Sequence, residues 1–152
     1  MWADSLLLDD AHLPSVLLRE LNTYLEALSG TDPFNMQVKA FRPGSIKTIK
    51  GHFRRYITAL HYQGLDLSGI QSLEEIVTKE MFQLAMRWFW DRNGGQTSKH
   101  TGEIAWSIRC YATKHLTADE ETLAFYANAM KRLRIPQDGL SDKNQRAMVQ
   151  FD

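Results

Sequence analysis

The sequence predicts an all-α protein: a compact bundle of four to five helices with one additional helix in front of it. Apolar residues recur at three- and four-residue steps along several long segments, which is the helical period. Those segments begin at Pro, Ser or Thr and end at Gly or Asn-Gly, the punctuation of helix starts and stops. No strand or β-hairpin signal appears between them. The length of 152 residues and the 43% hydrophobic content are enough for a real core without disulfide or metal. The chain divides into residues 1–40, an arm and an acidic helix, and residues 41–152, the helical domain proper.

Residues 1–12 read as an arm, with Trp2 and Leu6 to Leu8 as docking points. From Pro14 to about Leu28, one helical face carries Val16, Leu17, Leu21, Tyr24, Leu25 and Leu28, and Ser29, Gly30 and Asp32-Pro33 end the helix. Phe34 to Gly44 is an irregular connection.

The next helix, Gly44 to Tyr62, has both a core face and a basic line. Ile46, Ile49, Phe53, Tyr56, Ile57 and Leu60 form the apolar face, Ser45 is the expected cap, and Gly64 is the stop. At about 100° per residue, Lys47, Lys50, Arg54, Thr58 and His61 fall on a second line, and Arg55 lies a further step round, pointing elsewhere. Phosphate oxygens suit such a line. A solvated helix face is the alternative, but exposed helices ordinarily interleave both signs, and residues 41–62 hold five Lys or Arg and no acid.

Leu65 to Ser72 is rich in turn residues, and Leu73 to Val77 adds one helical turn. Thr78 caps a helix to about Arg92 whose Met81, Phe82, Leu84 to Met86 and Trp88 to Trp90 make it apolar nearly all round, so it is expected at the centre. Asn93-Gly94-Gly95 stops it. Thr97 or Ser98 caps a helix to about His115, with Ile104, Ala105, Ile108, Tyr111 and Ala112 inward and Trp106 and Cys110 in a second buried contact. Thr117 to Glu120 opens another, with Leu123, Tyr126, Ala127, Met130 and Leu133 inward and Ile135-Pro136 closing it. Ser141 caps a short helix through Gln150.

Eighteen basic and eighteen acidic residues cancel, yet they are segregated: residues 1–40 carry a net of −4 and residues 41–62 a net of +5. The single Cys110 allows no internal disulfide and favours a reducing, cytoplasmic setting. Acids at positions 4, 9 and 10 stand where a signal peptide needs positive charge, and no apolar run approaches a membrane span. The five histidines show neither paired helical spacing nor Cys partners, and no HExxH, phosphate loop or GxSxG elbow is present. No cofactor, metal or catalytic site is therefore expected.

Two stretches, Ser45-Ile46-Lys47-Thr48 and Thr97-Ser98-Lys99-His100-Thr101, open helices in a manner that resembles the core-binding domain of tyrosine recombinases, the phage-integrase family. Gly139 to Arg146 followed by Phe151-Asp152 is similar to the segment that precedes the catalytic domain in bacterial integrases. The resemblance covers residues 44–152. It implies a SAM-like orthogonal bundle that forms half of a clamp on double-stranded DNA and assembles with other recombinase protomers in a longer protein. The catalytic domain would follow Asp152, so no tyrosine here is expected to be a nucleophile. The acidic helix 14–28 departs from the family pattern.

The expected contact set is Ser45, Lys47, Thr48, Lys50 and Arg54 on the first helix start and Thr97, Ser98, Lys99 and His100 on the second. A helical protein-interaction module without nucleic-acid binding is the competing possibility, and a small helical enzyme a third.

Overall fold

The computed structural model describes residues 7–8, 11–30 and 41–133, and within them every regular element is helical. Five α-helices follow in order: α1 (Ser15–Leu28), α2 (Pro43–Tyr62), α3 (Lys79–Arg92), α4 (Lys99–Cys110) and α5 (Glu120–Leu133). Two short 3-10 turns, Leu67–Gly69 and Leu73–Ile76, join α2 to α3, and a π-helical turn, Tyr111–His115, extends α4. The expected helix from Ser141, the Ile135-Pro136 closure and the segment Gly139 to Arg146 lie outside the described residues.

The helices start and stop for identifiable reasons. Thr78 accepts the Met81 N–H and Ser98 the Thr101 N–H, so each side chain satisfies a donor that the first helical turn cannot. Asp119 does the same for Thr122 ahead of α5. After α3 the chain turns through Gly94 and Gly95 at φ of 71° and 78°, a left-handed geometry that costs glycine little. Ser45 is not a cap. α2 begins earlier, at Pro43, because proline's missing N–H and fixed φ suit the first helical position, which leaves Ser45 inside the first turn and Arg42 as an N-cap without a side-chain bond.

α2 is the central helix. It buries Ile49, His52, Phe53, Tyr56, Ile57, Thr58, Ala59 and Leu60, with α1, α3 and α4 packed around it. The expectation had placed α3 there. α3 buries Phe82, Ala85, Met86 and Phe89, but Trp90 is 40% exposed and Trp88 is only half-buried, because α3 lies on one flank of α2 and its outer side meets solvent. Tyr62 stacks on Trp88 at 5.8 Å and the Arg92 guanidinium sits 4.8 Å over the same ring, which shelters that outer aromatic.

α1 buries the residues its pattern predicts: Leu17, Leu21, Tyr24, Leu25 and Leu28. Tyr24 meets Phe53 and Tyr111 edge-on, at 5.9 and 4.8 Å, and so links α1 to α2 and to the extension of α4. In α5 Tyr126, Met130 and Leu133 pack inward as expected, but Leu123 is 45% exposed and Ala127 is exposed, and Phe125 and Ala129 take their places. Leu123 and Phe125 both fit the helical period beside Tyr126, and Phe125 is the one turned inward because its ring and that of Tyr126 both pack against Phe82.

A knot of side-chain bonds lies under these helices. Leu73 and Ile76 of the turn, and Val77 after it, are buried, and three helices serve the backbone there: Glu20 accepts the Leu73 N–H, Tyr56 donates to the Ile76 carbonyl and Tyr126 to the Val77 carbonyl, the last two at 2.6 Å. Removing one donor strands a buried carbonyl, a loss of about 1–3 kcal/mol. Tyr126→Phe should therefore lower the urea midpoint by that amount with an unchanged m-value, while Tyr62→Phe, at an exposed ring, should leave it within experimental error. Equal midpoints for Tyr126→Phe and the parent chain would rule the knot out as a source of stability.

Candidate nucleic-acid interface

The beginnings of α2 and α4 face one cleft, of about 750 Å³, which the end of α5 closes on the third side. α2 contributes Gly44, Ser45, Thr48, Ile49 and His52, and α4 contributes Lys99, Gly102, Glu103, Trp106 and Ser107. Met130, Lys131 and Leu133 come from α5, and Phe41 stands just before α2. Three contacts hold this arrangement. The Phe41 N–H donates to the Leu28 carbonyl at 2.8 Å, Thr97 Oγ1 donates to the Leu133 carbonyl at 3.0 Å, and His52 Nδ1 pairs with Ser107 Oγ at 2.7 Å inside the bundle.

The start of α2 presents donors to this cleft. Pro43 has no N–H, and the Ile46 N–H already reaches the Arg42 carbonyl at 3.1 Å. The first-turn donors that remain are those of Gly44 and Ser45, both exposed and both lining the cleft. The positive end of the α2 dipole points the same way.

The residues expected to meet phosphate separate into three groups. Ser45, Thr48 and Lys99 line the cleft together, so the two helix starts do converge. Thr48 Oγ1 also donates to the Gly44 carbonyl, one turn back. Thr97 and Ser98 serve the fold: Thr97 ties α4 to α5, and Ser98 caps α4 and pairs with Thr101 Oγ1 at 2.9 Å. Lys47, Lys50 and Arg54 run along another side of α2, with Lys47 exposed and the other two half-buried. Thr58, on the same line, is buried under residue 8: its Oγ1 accepts the Leu8 N–H at 3.2 Å and donates to the Arg54 carbonyl at 2.7 Å. Leu8 thus covers the line at Thr58, while His61, at its C-terminal end, is exposed.

His100 and Arg55 belong to the α2–α4 seam. The His100 ring lies 6.0 Å from that of His52, and Arg55, expected to point away, is close enough to act on both. Arg55 also donates to the Gly51 carbonyl. Lys131, Trp106 and Glu103 had no place in the expected set. Glu103 and Trp106 reach the cleft from α4, whereas Lys131 reaches it only because α5 folds back on α4, and no spacing in the chain announces that contact. Trp106, expected in a second buried contact, is 44% exposed there. Cys110, on the same helix, is half-buried, and burial pushes its thiol up.

Among the described residues no group of three His, Cys, Asp or Glu gathers to hold a metal, and no helix is long and apolar enough to cross a membrane. No family model, curated protein or solved structure matches the chain.

The histidines give the seam a pH response. Burial holds His52 below the ordinary value of 6.5; neighbouring His100 and Arg55 act in the same direction, and Glu103 opposes them. His100 is held down by partial desolvation and by Arg55, again against Glu103, and His115 by partial desolvation, although both residues remain exposed at the surface. Above 6.5 both folded and unfolded chains keep these rings neutral. Below it the unfolded chain binds protons that the fold refuses, so stability falls as pH drops. Urea midpoints should decline from pH 7 towards pH 5, and His52→Gln should flatten part of that slope. A midpoint that rises on acidification would contradict the assignment.

Proposed function

We propose that this chain is a DNA-backbone-binding module of the kind with which tyrosine recombinases hold double-stranded DNA, and that the starts of α2 and α4 are its gripping surface. The observation that carries the proposal is their convergence on one cleft with Lys99 and Lys131 at its walls, in a segment where residues 41–62 hold five bases and no acid. Free N–H groups at a helix start, the dipole behind them and adjacent ammonium groups are the common elements of a phosphate site. Lys47, Lys50 and Arg54 extend the positive surface along α2, where a second phosphate of the same strand would lie. The sequence resemblance at Ser45 to Thr48 and Thr97 to Thr101 supports the same conclusion.

The contacts available are to phosphate rather than to base edges, so binding should be weak and little dependent on sequence. A dissociation constant on the order of 10⁻⁴ to 10⁻⁶ M at moderate salt is expected. Lys99→Ala and Lys50→Ala should each weaken a short paired duplex and reduce the log–log salt slope by about 0.9, whereas Glu121→Ala, on exposed α5 surface away from the cleft, should do neither. The competing role, a helical protein-interaction module, draws on the exposed Trp90 and Leu123. Absence of duplex binding at low salt would decide in its favour.

A further inference from the structure

A phosphate grip alone needs only donors and positive charge, yet much of the cleft wall is apolar. Phe41, Ile49, Met130 and Leu133 surround its polar rim, and the Trp106 indole, on α4, is 44% exposed to the space between them. An exposed indole, two lysines (Lys99 and Lys131) and the uncapped α2 start line the same cleft, so it offers positive charge and hydrogen-bond donors together with a flat aromatic face. The volume of about 750 Å³ falls in the range of pockets that enclose an organic molecule.

We propose that the cleft is a subsite for one unpaired nucleotide of a nucleic-acid strand. Its phosphate lies against Lys99, Lys131 and the first turn of α2, and its base stacks on Trp106. This rests on the DNA-binding proposal above and names what the same surface prefers. A paired base is held in its stack and cannot turn its face to an indole, whereas a bulged or single-stranded base can. Charge fits one phosphate and not two. Among the described residues lining the cleft Glu103 is the single acid; it repels a second phosphate and can accept from the amino group of a base. His52 and Ser107, which bond each other, line the same cleft and make part of its wall polar enough to tolerate a base edge.

Anisotropy titration of two labelled DNAs tests this: a short paired duplex and the same duplex with one bulged adenosine. Stacking of one base on an aromatic side chain should make the bulged duplex bind about tenfold more tightly. Trp106→Ala should bring it down to the level of the paired duplex, and Trp106→Phe should keep most of the preference. Trp90→Ala, which removes an equally exposed indole outside the cleft, should leave the preference intact. Equal affinity of the parent chain for the two DNAs overturns the subsite while duplex binding stands, and is also the outcome for a cleft that takes an amphipathic peptide. A preference that survives Trp106→Ala overturns it too. Binding of the bulged duplex alone would keep the subsite and remove the duplex proposal; binding of neither removes both.

Discussion

Three helices of this bundle converge on the backbone of one short, partly buried 3-10 turn. Leu73, Ile76 and Val77 are buried while Glu74 and Glu75 face solvent, and the Ile76 and Val77 carbonyls need partners inside the protein. Glu20 from α1, Tyr56 from α2 and Tyr126 from α5 supply the missing partners, so three helices converge on five residues. Each of those side chains is long enough to reach inward from its helix while its stem or ring packs in the core. Burial pushes both tyrosine hydroxyls upward from their ordinary range, so they remain protonated donors at any physiological pH. The cost of leaving a buried carbonyl unpaired makes the relative placement of α1, α2 and α5 hard to vary.

That constraint also places the cleft. With Tyr126 anchored to Val77, the rest of α5 must run back along α4, and it ends where Thr97 holds the Leu133 carbonyl beside the start of α4. The two helices come close at Gly102, where a β-carbon would stand in ordinary contact with the Leu133 carbonyl at 3.5 Å. The His52–Ser107 bond and the ring cluster of Tyr24, Phe53 and Tyr111 lock α2 to α4 from within. The two helix starts are thus presented on a rigid frame. Lysines from α4 and α5, with Trp106 between the helices, complete a surface that is cationic at its rim and aromatic inside.

The α2 helix carries two different surfaces on one cylinder. Ser45, Thr48 and His52 look towards α4, while Lys47, Lys50 and Arg54 run along a side roughly a third of a turn or more away. A strand of nucleic acid could touch both only by passing over the exposed start of the helix, where Arg42 to Ser45 all meet solvent. The burial of Thr58 beneath Leu8 removes that member of the line from the path, because its hydroxyl satisfies the Leu8 backbone instead.

Helical class, the caps at Thr78 and Ser98, the stop at Gly94-Gly95 and the inner face of α1 were all legible in the chain, because each follows from forces acting within about four residues: periodic burial, capping of free N–H groups and glycine's tolerance of positive φ. The convergence of the α2 and α4 starts could be expected from their similar openings, and Ser45, Thr48 and Lys99 line the cleft as expected, but the rest of its membership could not be read from the chain. Ser98 and Thr97 were taken up by the fold, and Lys131, Glu103 and Trp106 were brought in by it. Nor could periodicity choose between the Leu123 and Phe125 faces of α5, since both satisfy it, or tell that α2 rather than the more apolar α3 would be enclosed. Those outcomes depend on contacts between residues tens of positions apart, Tyr126 with Val77 and Thr97 with Leu133, and a local pattern carries no information about which distant carbonyl a side chain will reach.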